Sequence, residues 1–243
     1  MFDCILNESI IGRARRNNLI EIRTINKRDF SKDKHKKTDD YPYGGGSGMV
    51  MLPQPIYDAY LHVTSGLDYK PRVIYMSPQG RRLDQKIVEE LSAYDHLVIL
   101  CGHYEGVDER IIEEIVDDEI SIGDYVLTGG ELPAMVLIDA VSRTIPGVLS
   151  NKDSYSEESH NDGLLEYPQY TRPYEFNNKK VPDILLSGHH ANINRWRRKE
   201  ALKRTYLRRK DMIEKFNFSE EDRELFNEVL RELGELNETD PKS

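Results

Sequence analysis

The sequence predicts an α/β fold with a mostly parallel sheet, followed by a smaller helical region. Short apolar segments alternate with helical patterns before residue 148, and this order is typical of parallel sheets. Residues 96–100 consist of His96 and four consecutive apolar residues, as expected for a strand that is buried on both faces. Two long helical patterns near the C-terminus, with no strand pattern between them, indicate the second region.

The elements of the first region follow from the spacing of apolar residues and from turn signals. We predict strands at residues 72–76, 96–100, 119–122 and 125–127, and helices at residues 84–94, 109–116 and 131–143. Gly129 and Gly130 end the last strand, and Glu131 with Pro133 marks the first turn of the helix that follows. This helix carries Arg143 at its far end.

A polar segment divides the chain. Residues 150–162 hold almost no apolar side chain and are typical of a linker. We therefore expect a first domain at residues 1–148, a flexible linker at 149–166, and a helical domain at 167–243 that ends in a disordered tail. The helices expected in the second domain are residues 192–216 and 220–233, and Ser219 is a capping signal for the latter.

Composition excludes several classes of protein. Apolar residues make up 38% of the chain, enough for a core, but no apolar run reaches the length of a membrane span. The first residues lack the basic and apolar regions of a signal peptide. The only cysteines, Cys4 and Cys101, argue against a disulfide framework and favour the reducing cytoplasm.

Basic residues are clustered, although the net charge is −9. Residues 13–37 contain ten Lys or Arg against three Asp or Glu, and residues 195–210 contain nine against Glu200 alone. Either run by itself is most simply a solvated helix face. Two runs together, with Trp196 and Tyr206 inside the second, favour phosphate contacts and base stacking with a nucleic acid.

Three turns are expected to meet at one edge of the sheet. They lie at residues 75–80, after Leu100, and at residues 122–133, each following a strand candidate. Ligands of open α/β sheets bind at this edge, although each turn alone is also explained as an ordinary tight turn.

A glycine-rich loop precedes these turns. Residues 44–48 lack the Lys and Ser/Thr that end a phosphate-binding P-loop, so nucleotide hydrolysis is a poor interpretation. The alternatives are a flexible loop tip or a base-binding loop. The second is suggested by Asp39, whose carboxylate suits the N–H groups of guanine, and by Tyr41 and Tyr43, whose rings can stack on a base.

Six segments, in one order along the chain, carry a resemblance to a known family. They are residues 39–49 (DDYPYGGGSGM), 75–80 (YMSPQG), 101–110 (CGHYEGVDER), 122–133 (IGDYVLTGGELP), 163–173 (GLLEYPQYTRP) and 185–197 (LLSGHHANINRWR). Together these residues resemble the bacterial tRNA (guanine-N1)-methyltransferases, members of the knotted SPOUT class. The similarity runs from about Asn7 to Met212.

The resemblance implies a homodimer that methylates N1 of the guanosine just 3′ of a tRNA anticodon, at sites between subunits. It implies a SPOUT-type, mostly parallel sheet with a C-terminal trefoil knot, whose loops bind S-adenosylmethionine. The implied cofactor residues are Tyr75, Met76, Ser77, Pro78, Gly102, Tyr104, Glu105, Ile122, Gly123, Asp124, Tyr125, Val126, Leu127, Gly129, Gly130 and Pro133. The expected tRNA contacts are Asp39, Gly48, Trp196, Arg197 and Arg198.

The implied reaction needs two further groups. A general base must remove the proton from guanine N1, and a cation should stabilise the negative charge that builds on O6. Arg143 matches the family position for the cation, although an arginine there also suits a solvated helix end. The family's base is an aspartate in the linker; the matching residue here is Glu158, with Glu157 as the alternative.

The sequence does not predict a metal site. His103, His189 and His190 have no cysteine companions and no metal-ligand spacing. The resemblance implies that magnesium assists the reaction, and Glu105 and Glu158 are the candidate carboxylates that would bind it.

Two other functions stay open at this point. One is another SPOUT activity, such as ribose 2′-O-methylation, which needs no base that reaches N1. The other is a tRNA-binding protein without catalysis. Family members carry an apolar strand ahead of the position where this sequence begins. We therefore expect either a sheet that lacks an internal strand or a start that is misplaced.

Overall fold

The computed structural model describes residues 1–149 and 162–236. The chain divides into two compact units, Met1–Lys152 and Asp153–Ser243. The expected linker at 149–166 lies mostly outside the described residues, as does the expected tail from Asn237.

The first unit opens with short helices and leads into alternating strands and helices. In chain order the elements are α1 (Phe2–Leu6), α2 (Ser9–Arg16), a 3₁₀ turn (Lys27–Phe30), β1 (Asp39–Asp40), β2 (Val50–Met51), α3 (Pro53–Thr64), β3 (Arg72–Arg82), α4 (Gln85–Ser92), β4 (Leu97–Cys101), α5 (Glu109–Ile115), β5 (Asp118–Ser121) and α6 (Glu131–Thr144). The three helices predicted between residues 84 and 143 are confirmed to within two residues at each end.

A three-stranded parallel sheet organises this unit. Its strand order is β4-β3-β5, with Val73 opposite Val98 and Met76 opposite Ile120. The parallel arrangement is therefore confirmed. The prediction that residues 96–100 are buried on both faces is wrong, because β4 is half-buried along its length and its outer edge pairs with no strand in the described part of the chain.

The end of β3 is irregular. Met76 and Arg81 both lie opposite Ile120, so the four residues between them bulge out of the strand. Gly80 makes this possible, since a Cβ there would lie 2.3 Å from the carbonyl carbon of Glu119. The turn expected after residue 76 is thus a bulge within a longer strand.

One predicted strand does not form. Residues 125–127 are a loop without strand pairing, and Val126 is 80% exposed. The apolar pattern at this position suggested a strand. In the structure the same side chains lie in a loop at the sheet edge, next to the cavity described below.

The sheet is covered on both faces by apolar side chains. On one face Ile74 and Met76 pack against α4 and α6, with Ile87, Leu91, Ala134 and Leu137. On the other face Tyr75 packs against α3 and α5, with Met51, Ile56, Val107, Ile111 and Ile115. Alternate residues of β3 therefore belong to different clusters, as expected for a strand between two helical layers.

The second unit is mainly helical. It contains β6 (Glu175–Phe176), β7 (Lys179–Lys180), a 3₁₀ turn (Asp183–Leu186), α7 (His190–Arg208), α8 (Lys210–Ile213) and α9 (Glu220–Glu232). Its core includes Leu164, Leu202 and Leu225. The predicted helix 192–216 is broken at Arg209, whose φ of −140° and ψ of 70° are not helical. The predicted cap of α9 is confirmed, because Ser219 and Asp222 form a reciprocal capping box.

In the described residues, every helix is too short or too polar to cross a bilayer.

Candidate active site

A cavity of about 320 Å³ lies at the carboxyl ends of β3, β4 and β5. Three loops form it: the bulge of β3, the turn after β4, and the segment between β5 and α6. It is within the size range of small-molecule sites. Fourteen of the sixteen predicted cofactor residues line it, namely Tyr75, Met76, Ser77, Pro78, Gly102, Tyr104, Glu105, Ile122, Tyr125, Val126, Leu127, Gly129, Gly130 and Pro133.

Two predicted cofactor residues do not line the cavity. Gly123 and Asp124 lie in the turn that leaves β5, where the Ser121 hydroxyl donates to the Gly123 carbonyl at 2.9 Å. Gly123 has a φ of 151°, a conformation that favours glycine, so the turn explains this residue. Their contact with a cofactor stays a prediction.

Close backbone contacts hold the third loop onto the second. The amide of Gly130 donates to the carbonyl of Gly102 at 2.8 Å, and His103 forms a bridge with Gly129. A Cβ at Gly130 would lie 2.8 Å from the Cα of Cys101, so glycine is required for this approach. Because β3 lies between β5 and β4, the chain after β5 must cross the end of β3 to reach this position.

A glycine and a tyrosine shape the cavity wall. A Cβ at Gly102 would lie 2.8 Å from the hydroxyl oxygen of Tyr75. Tyr75 itself is buried, and burial raises the pKa of its phenol further above neutral pH, so the hydroxyl is a neutral group. The bare backbone at position 102 therefore leaves room beside a neutral hydrogen-bonding group.

The cavity lining is acidic. Glu105, Glu109 and Glu119 contribute carboxylates, and no Lys or Arg is among the described residues that line it. Carboxylates without compensating cations favour a ligand that carries positive charge. The sequence prediction included only Glu105. Glu109 lies within the matching segment 101–110 but was not assigned to the cofactor, and Glu119 lies outside the six matching segments.

The glycine-rich loop reaches the edge of this cavity. The amide of Glu105 donates to the Met49 carbonyl at 3.0 Å, and the amide of Met51 donates to the Gly106 carbonyl at 2.9 Å. Gly48 lies directly against the Glu105 side chain. The loop that resembles a guanine-binding loop and the predicted cofactor loops are therefore in contact within one unit.

Tyr104 adopts a strained backbone conformation in the same turn. Its φ is 58°, in the left-handed region that is uncommon for residues other than glycine. Its side chain is exposed at the cavity. Such strain is concentrated at functional sites, which is consistent with a binding role for this turn.

A charged cluster lies behind the third loop and was missed in the sequence. His103 is hydrogen bonded to Glu131, the first residue of α6. Burial lowers the pKa of Lys27, against the opposing effect of the carboxylates of Asp39 and Glu131. Burial and the Glu131 charge raise the pKa of Cys101 to about 12. These residues are far apart in sequence, so no local pattern could have grouped them.

Arg143 lies away from the cavity of its own chain. It is twelve residues after Glu131 on α6, which places it about 18 Å further along the helix axis. At about 100° per residue, Arg143 lies on the same face of α6 as Leu132 and Val136. Both apolar side chains are exposed, whereas Ala134 and Leu137 on the opposite face are buried.

Glu158 and its alternative Glu157 lie outside the described residues. Residues 1–149 and 162–236 contain no group of three or more His, Cys, Asp or Glu side chains that could hold a metal ion.

The basic run on α7 is largely paired with acidic residues of its own unit. Arg198 donates to both oxygens of Asp222, at 2.7 and 3.2 Å, and also pairs with Asp162. Arg195 and Lys199 pair with Glu228 on α9, and Lys203 pairs with Glu232 at 3.0 Å. The structure thus gives Arg198 a role in folding, and its predicted contact with tRNA stays a prediction.

The neighbouring predicted contacts are also packed within the unit. The guanidinium of Arg197 lies 4.8 Å from the ring centre of Tyr167, and the Trp196 ring lies 6.4 Å from that of Tyr170. Both Trp196 and Arg197 are half-buried. Their contact with tRNA stays a prediction too.

Known proteins are similar to nearly the whole chain. The family model of tRNA (Guanine-1)-methyltransferase TrmD matches residues 1–215. A tRNA (guanine-N(1)-)-methyltransferase of Ruminiclostridium cellulolyticum is 64% identical over 215 residues, which are 88% of this chain and 92% of that protein. A protein of the same name from Dictyoglomus turgidum is 56% identical over 235 residues, 97% of this chain and 94% of its own length. The resemblance seen in the sequence is confirmed.

Proposed function

The chain belongs to the tRNA (guanine-1)-methyltransferase family, and we propose that it methylates N1 of the guanosine just 3′ of a tRNA anticodon. The observation that carries the proposal is the family match over residues 1–215, which includes all three loops around the cavity. Relatives that are 52–64% identical carry the name of this enzyme. The choice of guanosine within the tRNA comes from the sequence resemblance.

We assign the cavity to S-adenosylmethionine, which supplies the methyl group when bound. The residues fit this ligand, because its sulfonium and ammonium groups are positive and the lining carries three glutamates without Lys or Arg among its described residues. Gly102, Gly129 and Gly130 expose backbone groups that can hold an adenine and a ribose, and apolar side chains such as Ile122 and Leu127 can pack on the adenine.

Two residues are proposed to act on the guanine. Glu158 accepts the proton of N1, which makes that nitrogen nucleophilic. Arg143 donates to O6, where negative charge develops as the proton leaves, because a guanidinium stays charged and is directional. Asp39 and Gly48 hold the base beside Glu105, at the edge of the cavity.

We propose that the active site is shared by two copies of the chain. The Cα of Arg143 lies about 15 Å along the axis of α6 from that of Pro133, which lines the cavity, so Arg143 cannot act there without a large rearrangement. It lies instead on the exposed face of α6 together with Leu132 and Val136. Apolar residues on an exposed face are typical of a surface that another protein covers. A second copy bound at this face would bring its Arg143 and Glu158 to the cavity of the first.

We further propose a knotted first domain, a linker and a second domain that binds tRNA. The crossing of the chain from β5 to the end of β4 supports a trefoil knot at the end of the first domain, as in the SPOUT class. We propose a methyltransferase domain at residues 1–148, a linker at 149–166 and a tRNA-binding domain at 167–243, in a cytoplasmic enzyme. Magnesium is assigned no step, and Glu105 and Glu158 are the carboxylates that would hold it.

The reaction is tested by mapping the product. Unmodified tRNA is incubated with the protein and methyl-labelled S-adenosylmethionine, then digested and separated by mass spectrometry. The proposal requires 1-methylguanosine just 3′ of the anticodon. A 2′-O-methylated ribose would favour another SPOUT activity, and tRNA binding without any methylated product would favour a non-catalytic binding protein.

The shared site is tested by mixing two inactive variants. Glu158→Ala lacks the base, and Gly129→Leu blocks the cavity, because a Cβ at position 129 would already lie 2.7 Å from Cε1 of His103. Co-refolded mixtures should form heterodimers with one intact cavity and one intact glutamate, so activity should return. Glu158→Ala refolded alone under the same conditions is the control and should stay inactive. Verified heterodimers that stay inactive would show that the base acts within its own chain.

A further inference from the structure

The second unit exposes an aromatic ring at the tip of a small hairpin. Strands β6 and β7 are joined by the two residues Asn177 and Asn178, and Phe176 lies opposite Lys179. Phe176 is 68% exposed and belongs to none of the apolar clusters of the unit. A large apolar side chain held in solvent at a hairpin tip adds nothing to the core. It therefore requires another explanation.

The hairpin is held in one conformation by its turn. Asn177 and Asn178 have φ values of 50° and 60°, the pattern of a type I′ turn, which matches the twist of paired strands. The amide of Val181 donates to the Tyr174 carbonyl at 3.0 Å, and the Tyr174 hydroxyl donates to Asp183 at 3.1 Å. The backbone that carries Phe176 is therefore already ordered, so a ligand that binds the ring loses little conformational entropy of the hairpin.

Positive charge accompanies the ring. Lys179 has no acidic partner within residues 162–236, and the ammonium of Lys180 is 3.8 Å from Glu175, a contact at the limit of an ion pair. Four basic residues of α7, in contrast, are paired with Asp222, Glu228 or Glu232, namely Arg195, Arg198, Lys199 and Lys203. Within the described part of the second unit, the positive charge of Lys179 is therefore not neutralised by an acidic side chain and can contact an anionic ligand.

We propose that this hairpin, residues 174–181, binds the tRNA, with an unstacked base on Phe176 and adjacent phosphate on Lys179. An exposed ring beside lysine matches the chemistry of single-stranded nucleic acid, in which bases stack on aromatic side chains and cations contact phosphates. The inference rests on the proposed function, because the tRNA is the substrate named there. It moves the expected RNA contact from the paired arginines of α7 to the hairpin.

The test compares variants of the full-length protein in tRNA binding. Phe176→Ala should raise the dissociation constant for tRNA by roughly 5- to 150-fold, the usual effect of losing one stacked base. Phe176→Trp keeps a stacking surface and should bind like the wild type. Lys179→Glu should weaken binding and lower the slope of log affinity against log salt by about 0.7 for each phosphate lost.

Matched controls separate this contact from general effects. Lys215→Glu makes the same charge change at another exposed position of the unit, and Leu207→Ala removes another exposed apolar side chain. Both should bind tRNA like the wild type, and all variants should bind S-adenosylmethionine normally in calorimetry. Wild-type affinity in both Phe176→Ala and Lys179→Glu would overturn the inference. Loss of the dimer in light scattering of Phe176→Ala would also overturn it, since the ring would then contact protein.

Failure of the hairpin and failure of the proposed function give different results. If the wild type forms 1-methylguanosine but both hairpin variants bind tRNA normally, only the hairpin contact is wrong. If the wild type forms no 1-methylguanosine while Phe176→Ala still weakens tRNA binding, the reaction is wrong and the contact is supported.

Discussion

Gly48 leaves no space for a side chain beside Glu105. A Cβ at position 48 would lie 2.3 Å from Oε1 of Glu105 and 2.6 Å from its Cγ. This contact joins the proposed guanine loop to the proposed cofactor cavity. A side chain at position 48 should therefore displace residues of both the loop and the cavity.

Gly48→Ala should lower kcat/KM by roughly tenfold to a hundredfold, because displacement by about 1 Å at a reacting site can cost a hundredfold. Gly45→Ala is the matched control. Gly45 has a φ of 79°, close to the 84° of Gly48, but a Cβ there would meet nothing within 4 Å. Both variants carry the same backbone strain, and only the first displaces Glu105. Steady-state methylation of tRNA measures the difference, and equal losses in the two variants would contradict the contact as the cause.

Arg198→Ala should destabilise the second unit by about 2–3 kcal/mol, less than the roughly 3–5 kcal/mol for a fully buried pair. Asp222 is only 5% exposed and would lose the donors of Arg198. Arg209→Ala removes an exposed pair with Asp211 and should cost no more than about 1 kcal/mol. Urea unfolding followed by Trp196, the single tryptophan, reports on α7. An equal effect of the two changes would refute the structural role of Arg198.

The same pair predicts a pH dependence. Burial alone would raise the pKa of Asp222, but hydrogen bonds from Arg198 and Ser219 outweigh it and hold the pKa below its ordinary value of 3.8. The unfolded chain then binds the proton more tightly, so stability is lost as pH falls below about 3.8. The difference in unfolding free energy between wild type and Arg198→Ala should therefore shrink below that pH, measured by urea unfolding from pH 6 to pH 3. A constant difference would mean that the charge of Asp222 is not involved.

Only one of the two cysteines should react quickly with a thiol reagent in the folded protein. Cys4 is exposed, whereas burial and the nearby Glu131 raise the pKa of Cys101 to about 12. At pH 8 that leaves about one thiolate in ten thousand at Cys101, and the thiolate is the reactive form. Titration should give one fast thiol in native protein, two in denaturant, and none fast in native Cys4→Ala. A fast thiol in native Cys4→Ala would contradict the burial of Cys101.

Local patterns predicted the helices of the first unit well. The apolar residues Ile87, Val88 and Leu91 recur at helical spacing, and the core buries them. The glycine pair before α6 was likewise recognised from the sequence as a turn, because Glu131 and Pro133 follow it as helix-start signals. Helical spacing and turn signals depend on neighbouring residues and are visible without tertiary structure.

Features that join distant residues were not predictable in the same way. The pairing of Arg198 with Asp222 spans 24 residues, and that of His103 with Glu131 spans 28. The sequence shows the basic run on α7 and predicts the helix at residues 220–233, but it does not show that the two helices pair. The loop at residues 125–127 was taken for a strand because exposed apolar residues beside a cavity have the same pattern as a short buried strand.

The most direct test of the proposed mechanism is the methylation rate of Glu158→Ala, measured as 1-methylguanosine formed in tRNA, together with calorimetry of S-adenosylmethionine. We predict a loss of roughly 10²–10⁴-fold in rate, the usual cost of removing a general base. Cofactor binding should stay within about twofold of the wild type, and Glu157→Ala, one residue away, should stay active. Full activity in Glu158→Ala with loss in Glu157→Ala would move the base by one residue, and full activity in both would contradict a base in this segment.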